Sequence, residues 1–302
     1  MTAKALSDLI HERLPALEMR AREPMREHSS FRIGGAAEVF AVAESEEELT
    51  CLAAFCREEN VPLLVIGRGT NLLISDDGLR GVVVKPGEGL SALRAEGEHI
   101  IAGAGVTLAR LAQFAQQHAL TGLEFAHGIP GSLGGAVVMN AGAYGGEMKD
   151  VVVSVRCLDD DGEIREYPAE ALDFSYRHSR FSEHGGIILG AVLSLTPGDG
   201  EAIAAKMREL MAKRAHSQPL DLPSAGSTFK RPASGYAAAM IDGAGLKGYA
   251  VGGAMVSEKH AGFVVNTGGA SFDDVMAVMA HVQSTVREKY GVTLEPEVRI
   301  IR

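Results

Sequence analysis

An α+β protein of two or three domains is what the 302-residue sequence predicts, and three features carry that expectation. A strand, helix, strand order appears early, between Glu38 and Ile66. The middle third is rich in strands around the hairpin signal Asp159-Asp160-Asp161-Gly162. Pro197-Gly198-Asp199-Gly200 then marks a boundary, followed by helical patterns and a last domain placed just before or after the first of them. An apolar content of 46% over this length supports a sizeable core.

Taken in order, Leu6, Leu9, Ile10 and Leu14 recur at helical spacing and predict a short amphipathic helix. Residues 38–43 read as a strand, and Ser45 with Glu48 forms a capping-box signature for a helix through Leu49, Leu52 and Cys56. The run Val61-Pro62-Leu63-Leu64-Val65-Ile66 predicts a second strand, which makes the segment a right-handed βαβ candidate. Its carboxyl end delivers Gly67-Arg68-Gly69-Thr70-Asn71 to the place where α/β units bind ligands. Asp76-Asp77-Gly78 turns the chain into a strand at 81–85, another follows at 99–103, and Leu108, Leu111, Ala112 and Ala115 define a helix ending near Gly122.

Strands at 151–158 and 163–167 flank the Asp-rich turn, and residues 186–195 add another. Ile203, Met207, Leu210 and Met211 mark a helix, Tyr236 to Ile241 a glycine-interrupted one, and residues 262–266 a strand. Ser271 and Asp274 cap a long closing helix whose buried stripe is Val275, Met276, Met279, Val282 and Val286, and residues 294–301 are expected to be extended. No internal repeat of solenoid spacing occurs.

A formal charge of −10 argues against general nucleic-acid binding while leaving room for local cations that hold an anionic substrate. Cys51, Cys56 and Cys157 form no C-x-x-C, so neither a disulfide framework nor a zinc site is expected, and packed thiols in a reducing compartment are. The start of the chain has no apolar segment of signal-peptide length, and no run reaches the ~18 residues of a membrane-spanning helix. A cytoplasmic protein without membrane insertion is expected, as a monomer or weak oligomer.

Glycine is the most informative residue. Its 36 copies exceed the roughly 7% average without a G-X-Y period, so the excess belongs to turns and ligand loops. They are densest from His127 to Gly146, where Gly128, Gly131, Gly134, Gly135 and Gly142 stand beside Ile129, Pro130, Ser132, Asn140 and Ala143. Glycine is kept where a ligand must approach backbone amides or where φ is positive, so this stretch and the turn from Gly67 to Leu72 are two candidate phosphate cradles. Gly67-Arg68-Gly69 lacks the third glycine and the helix of a Rossmann turn, and no G-x-x-x-x-G-K-[ST] occurs.

Both stretches resemble the UDP-N-acetylenolpyruvoylglucosamine reductase family. The resemblance runs in order from Ser30-Phe31-Arg32-Ile33-Gly34-Gly35 through both cradles, Ser175-Tyr176-Arg177 and Ala225-Gly226-Ser227-Thr228-Phe229-Lys230, to Leu294-Glu295-Pro296-Glu297-Val298-Arg299. It implies a two-lobed FAD-binding region of the vanillyl-alcohol oxidase (PCMH) type at residues 1–198, with lobes near 1–84 and 85–198. An α/β substrate domain would follow at 199–302, its final strand a candidate to return to the first lobe.

FAD would be held non-covalently by Arg32, Gly34, Gly67, Arg68, Gly69, Thr70, Asn71, Leu72, Gly128, Ile129, Pro130, Gly131, Ser132, Gly134, Gly135, Asn140, Gly142 and Ala143. NADPH would be the hydride donor and a UDP-sugar the substrate, with no metal. His127 is read as a packed or hydrogen-bonded loop histidine. The bland alternative is that the glycines only make tight turns.

The implied reaction places a hydride on the β-carbon of an enolpyruvyl group and leaves an enolate conjugated with its carboxylate. Arg177 suits that charge, since guanidinium is a permanently charged planar fork; a surface ion pair is its ordinary alternative. Ser227 matches the family's proton donor, although a hydroxyl is a weak acid and its ordinary roles here are an N-cap or ST-turn. Glu297 matches the family's glutamate, and only the motif separates it from Glu295, which lies on the same side of an ideal strand. Tyr176, Lys230, Lys247, His260 and Asn266 fall in substrate-side motifs.

Arg231 stands where longer members carry asparagine, and Phe181 is followed closely by the strand at 186, without the tyrosine-bearing insertion of the longer form, so the chain resembles the shorter subclass. An oxidase of the same flavin fold and a non-catalytic nucleotide-binding module are the competing readings.

Overall fold

The computed structural model describes residues 2–302. Their contacts form two units, the first of residues up to Arg22 with Glu38–Arg68 and Arg80–Lys213, the second of Glu23–Ala37, Gly69–Leu79 and Arg214–Arg302.

In the first unit, helix α1 (Ala3–Arg13) is capped by Thr2, whose side chain accepts from the Ala5 N–H at 3.2 Å, and it buries Leu6 and Ile10. Strand β1 (Glu18–Pro24) has no counterpart in the hydrophobic pattern, because its side chains are mostly exposed. β2 (Ala36–Ala43) leads to α2 (Glu46–Glu58), where Ser45 accepts from the Glu48 N–H at 3.1 Å. The reciprocal half of the expected capping box is displaced by one residue, with the Glu48 carboxylate accepting from Glu44 N–H at 2.7 Å. Glu46, Glu47 and Glu48 all lie in the first turn, where the helix dipole favours negative charge.

β3 (Leu63–Val65) is shorter than the apolar run that predicts it. The Val61 N–H is taken by the Cys56 carbonyl at 2.8 Å, and Pro62 has none to offer. β4 (Leu72–Ile74) and β5 (Leu79–Pro86) follow. β5 pairs with β3 in parallel, Leu63 opposite Val82, and the sheet order is β1-β2-β5-β3. The two strands of the βαβ candidate are therefore not neighbours. β5, with Val82, Val83 and Val84 almost fully buried, takes the place between them, as a strand apolar on both faces should.

A second sheet is antiparallel, in the order β12-β11-β13-β7-β6. Its strands are β6 (Leu93–Glu96) and β7 (His99–Gly103), and then β11 (Val152–Leu158), β12 (Ile164–Pro168) and β13 (Ile187–Ser194). Leu158 stands opposite Ile164 at the end of the Asp-rich hairpin. Between β7 and β11 come α3 (Leu108–Gln117), β8 (Leu120–Thr121), α4 (Leu133–Val138), β9 (Gly142–Ala143) and β10 (Gly146–Glu147). α3 buries Leu108, Leu111, Ala112 and Ala115, as its spacing predicts, but ends five residues before Gly122, because His118 closes it by bonding the Phe114 carbonyl at 2.8 Å. α5 (Arg180–His184) precedes β13, and β14 (Thr196–Pro197) pairs with β8. α6 (Gly200–Ser217) then carries the chain out of the first unit.

The second unit is built on α7 (Ala237–Gly243), the antiparallel sheet of β15 (Ala250–Val251), β16 (Ala254–Val256) and β17 (Val264–Asn266), and α8 (Phe272–Tyr290). The α8 stripe buries Val275, Val278, Met279, Val282 and Val286; Met276 lies at its edge, half-buried, and Val278 takes the inner place. β18 (Arg299–Ile301) pairs in parallel with β4, Arg299 opposite Leu72. Phe31, Ile33 and Leu73 join the same core as α8, so residues far apart in the chain share one apolar cluster. Among the described residues no helix is long and apolar enough to cross a membrane.

α8 carries a complete capping box, in which Ser271 Oγ accepts from the Asp274 N–H at 3.0 Å and Asp274 accepts from the Ser271 N–H at 2.9 Å. Ser271→Ala is expected to lower stability by about 1 kcal/mol, read as a shifted urea midpoint at unchanged slope. An unshifted midpoint would show that the cap contributes nothing.

Candidate active site

β3 ends at Val65 and the first glycine turn begins two residues later. A Cβ placed on Gly67 would collide with the Ser132 hydroxyl, so this turn packs directly on the main glycine stretch. That stretch lies along residues 104–108: Leu108 N–H donates to Gly131 O at 3.1 Å, Leu133 N–H to Val106 O at 2.8 Å and Gly134 N–H to Ala104 O at 2.9 Å. Gly134 has no room for a larger side chain without displacing Ala104, whose Cβ would stand 3.2 Å from the added carbon. Gly67, Gly134, Gly135 and Gly142 do not take positive φ; close approach is the reason for glycine at the first, second and fourth of these.

Among the described residues the N–H groups of Gly67, Arg68, Gly128 and Gly131 donate to no carbonyl. Ser132 sits at the start of α4 and is 95% buried, yet its side chain makes no cap bond. His127 Nδ1 is buried without a hydrogen-bond partner, so of the two readings, packed or hydrogen-bonded, this nitrogen fits the packed one. Gly135 is exposed, and an added Cβ would meet Ser132 Oγ at an ordinary 3.7 Å. Ile129 is half-buried against the core, Pro130 and Arg68 are exposed, and Ala143 stands opposite Gly146 in the β9–β10 pair.

Asn140 is fully buried and has φ +38°. Its Nδ2 donates to Glu147 Oε2 and to the Ser175 carbonyl, each at 2.9 Å, and its Oδ1 accepts from the Lys149 N–H at 2.9 Å. Both amide hydrogens are thus used inside the protein. The Ser175–His178 turn closes with two backbone bonds of 3.2 Å, and Arg177 sits in it at φ +55°, where glycine or asparagine is usual. The Arg177 guanidinium donates to Gly142 O at 3.2 Å and lies 4.9 Å from the centre of the 42%-exposed Tyr176 ring. Burial pushes the Glu147 carboxyl up, but hydrogen bonds from Lys149 and Asn140, with the charges of Lys149 and Arg177, bring it below the usual range, so it is ionised at neutral pH.

In the second unit, Gly69 has φ +62° and a Cβ there would collide with the His28 carbonyl. Arg32, exposed at φ +56°, and Gly34, at φ +136° against Ile74, shape the neighbouring turn, and Thr70 is half-buried. Asn71 holds the C-terminal segment from both sides, donating from Nδ2 to Glu297 O at 3.1 Å and accepting at its carbonyl from Arg299 N–H at 2.9 Å. Leu72 is the β4 residue opposite Arg299.

Residues 228–230 run antiparallel to 295–298, with Phe229 opposite Pro296 and Lys230 N–H donating to Glu295 O at 2.8 Å. The Thr228 carbonyl accepts from both Glu297 N–H at 2.8 Å and Val298 N–H at 3.5 Å, a bulge of the kind that re-aims side chains next to functional sites. Ser227 adjoins this rung, half-buried. Glu295 and Glu297, equivalent on an ideal strand, differ here: Glu295 is 73% exposed and pairs with Lys230 at 3.6 Å, whereas Glu297 is half-buried beside the bulge.

Lys247 pairs with Asp242 at 2.9 Å. Burial, with the Lys247 charge adding to it, holds the His260 imidazole below its usual range, and its Nδ1 accepts from Gly262 N–H at 3.2 Å, which leaves the proton on Nε2. Asn266 is 94% buried; it donates to Phe31 O at 3.0 Å and accepts from Gly268 and Ala270 N–H. Sequence reasoning passed over Glu147 and Ser179. No local pattern marks Glu147, while the Ser179-x-x-Ser182 spacing ahead of Phe181 is a cap signal, and the two serines do form a reciprocal cap at α5.

Residues 218–301 match the family model of the UDP-N-acetylenolpyruvoylglucosamine reductase C-terminal domain, and residues 37–167 match that of an FAD binding domain. A UDP-N-acetylenolpyruvoylglucosamine reductase of Caldanaerobacter subterraneus subsp. tengcongensis is 52% identical over 99% of both chains. The chain belongs to the UDP-N-acetylenolpyruvoylglucosamine reductase family. The family's enzyme from Syntrophomonas wolfei subsp. wolfei is 46% identical over 97% of this chain and 98% of its own. The crystal structure of the family's enzyme from Thermus caldophilus superposes with a TM-score of 0.80 at 35% identity, covering 95% of this chain and 99% of that one. An FAD-binding region followed by the reductase C-terminal domain, with mixed helix and strand, is the fold class that the resemblance implies.

The residues present fit a diphosphate-bearing flavin: free-standing amides at two touching glycine turns, an uncommitted Ser132 side chain and an orphaned His127 nitrogen, all within or beside the matched FAD segment. Gly67→Ala is expected to lower the unfolding temperature and the flavin content together, because the added carbon strikes Ser132. Gly135→Ala is expected to keep its unfolding temperature, because the added carbon meets the protein only at an ordinary 3.7 Å, and to lose flavin affinity, because it would stand on the exposed face that the cradle would offer to the cofactor. Flavin absorbance per chain and thermal unfolding check both, and full flavin retention by both variants would remove these turns from the cradle.

Proposed function

We propose that the chain reduces UDP-N-acetyl-3-O-(1-carboxyvinyl)-glucosamine to UDP-N-acetylmuramate in peptidoglycan precursor synthesis, with NADPH as hydride donor. FAD, held without a covalent bond by the glycine turns, supplies the chemistry of taking a hydride from NADPH and giving it to the enolpyruvyl β-carbon. The observation that carries the assignment of residues is the bulged rung at Thr228, which brings Ser227 and Glu297 to one hydrogen-bonded step of the backbone.

Arg177 holds the substrate carboxylate in its guanidinium fork and stabilises the negative charge that develops there when the β-carbon accepts the hydride. Its left-handed backbone supports a functional role, since such strain persists only where the surroundings enforce it. Ser227 delivers a proton to the α-carbon, completing addition of one hydride and one proton across the double bond. The Ser227 hydroxyl has no hydrogen bond to another described residue that would have to be broken first. Glu297 orders the proton network at the same step. The half-buried Lys230 and the exposed Lys247, with the neutral His260 donating from Nε2, supply cationic and donor groups suited to a diphosphate.

Hydride transfer from NADPH to the flavin needs no proton from Ser227, while reduction of the enolpyruvyl group does. Ser227→Ala is therefore expected to bleach normally with NADPH, and its reduced form to be reoxidised by the UDP-sugar at least ~10²-fold more slowly, the lower end of the range for losing a positioned acid. Anaerobic stopped-flow absorbance separates the two steps. Near-normal reoxidation at saturating UDP-sugar would reject Ser227 as the donor.

A further inference from the structure

Asn140 occupies a position that glycine would fill at lower cost, and the reason lies in its side chain. α4 ends in a Schellman motif: Ala141 N–H bonds Ala136 O at 2.8 Å and Asn140 N–H bonds Val137 O at 3.1 Å, with Asn140 as the left-handed residue beyond the cap. Glycine is the usual occupant of that position and asparagine the second choice. What asparagine adds is three side-chain hydrogen bonds, to Glu147, Lys149 and Ser175.

The bond to Ser175 is the one with reach. Ser175 opens the turn that carries Arg177, and its carbonyl also accepts from His178 N–H at 3.2 Å, so the Asn140 donor pins the base of that turn. A second anchor lies on the other side, where the fully buried Ser179 donates from Oγ to Val138 O at 2.8 Å. The Arg177 guanidinium meanwhile donates to Gly142 O, two residues beyond Asn140. The strained arginine is thus tied to the end of α4 at its turn's base, at its exit and at its own head group.

We propose that Asn140 is a positioning residue for Arg177: by holding the Ser175 carbonyl it aims the guanidinium, and it does so through the end of α4, on the stretch that forms the flavin cradle. This rests on the assignment of Arg177 to the developing carboxylate charge. It also accounts for a buried amide in a glycine-rich segment, since Asn140 couples the cradle to the cation that must act on the same bound substrate.

The test is a double-mutant cycle between Asn140→Gly and Arg177→Ala, read as the rate at which the reduced enzyme is reoxidised by saturating UDP-sugar. Asn140→Gly retains the left-handed cap and removes only the side-chain bonds. Measured on enzyme saturated with added FAD, it is expected to slow reoxidation by roughly 10-fold to 10²-fold, the scale of a misplaced catalytic group. In the Arg177→Ala background the same substitution is expected to change the rate by less than about 2-fold, because a residue acting only through Arg177 has nothing left to position.

Equal losses in both backgrounds would overturn the proposal and make Asn140 a general structural residue, as would no loss in the parent. A normal rate for Arg177→Ala alone would instead sink the assignment of Arg177, and with it this coupling. Should Asn140→Gly hold flavin poorly even with added FAD, Ser175 is reached from the other anchor: Ser179→Ala, which removes the bond to Val138 O at the exit of the same turn, carries the same cycle with Arg177→Ala.

Discussion

Backbone packed directly on backbone or on a short side chain is the constraint on which the candidate site depends. Gly67 lies against Ser132, Gly69 against the His28 carbonyl, and Gly35 would place a Cβ 2.6 Å from Gly78 N. At Gly69 and Gly35 a methyl group would force two backbone segments apart, and at Gly67 it would displace the Ser132 hydroxyl. Glycine raises the entropy lost on folding, so a chain that keeps it here is trading stability for proximity. The return is chemical at the first of these, where among the described residues the N–H groups of Gly67, Arg68, Gly128 and Gly131 have no carbonyl to take them. In an apolar setting such groups are costly, and a bound anion is the natural partner.

Much of the fold was legible because local signals are strong. Ser45 and Ser271, read as caps, each accept a hydrogen bond from the third residue onward, and the apolar positions of α1, α3 and α8 follow the helical period. What was not legible is non-local. The insertion of β5 between β2 and β3 is decided by burial on both faces, which a short apolar run does not distinguish from burial on one. The second unit draws Glu23–Ala37 and Gly69–Leu79 together with residues beyond Arg214, and no pattern inside those short segments encodes it. α4 was hidden because Gly134 and Gly135 occur inside it, where propensity argues against a helix.

The site divides in the same way. The glycine turns could be picked out from residue type, and Ser227 and Glu297 only through the resemblance to the family, but the reason for each residue often differed from the one residue type suggests. Asn140 and Asn266 read as ligand contacts and turn out to spend their side chains on internal carbonyls and amides. Glu295 and Glu297 could not be separated by strand periodicity, and the bulge at Thr228 with the Lys230 ion pair separates them. Of the non-glycine residues with positive φ among those described, Arg32, Asn140, Tyr144 and Arg177 fall in or beside the motifs. Each carries strain on the order of 1–3 kcal/mol, which identifies where the surroundings over-determine the backbone and which side chains it aims.

An acidic chain with a formal charge of −10 must still attract an anionic nucleotide sugar, and the roles proposed for its cations reconcile the two. Lys230 and Lys247 are each paired with a carboxylate that is more exposed than the lysine itself, Glu295 at 73% and Asp242 at 53%. Ion pairs so open to water contribute little, because solvent already solvates both partners. In the role proposed for these lysines, a diphosphate would replace the carboxylates at small cost, and the displaced acids would return to water without a buried charge left behind. Arg177 is built on the opposite principle: it is held by a backbone carbonyl in a strained turn, near an ionised Glu147 that is itself bonded to Asn140 and Lys149. Exchangeable cations suit a part of the substrate that must arrive and leave, and a fixed one suits the atom where charge appears only during the reaction.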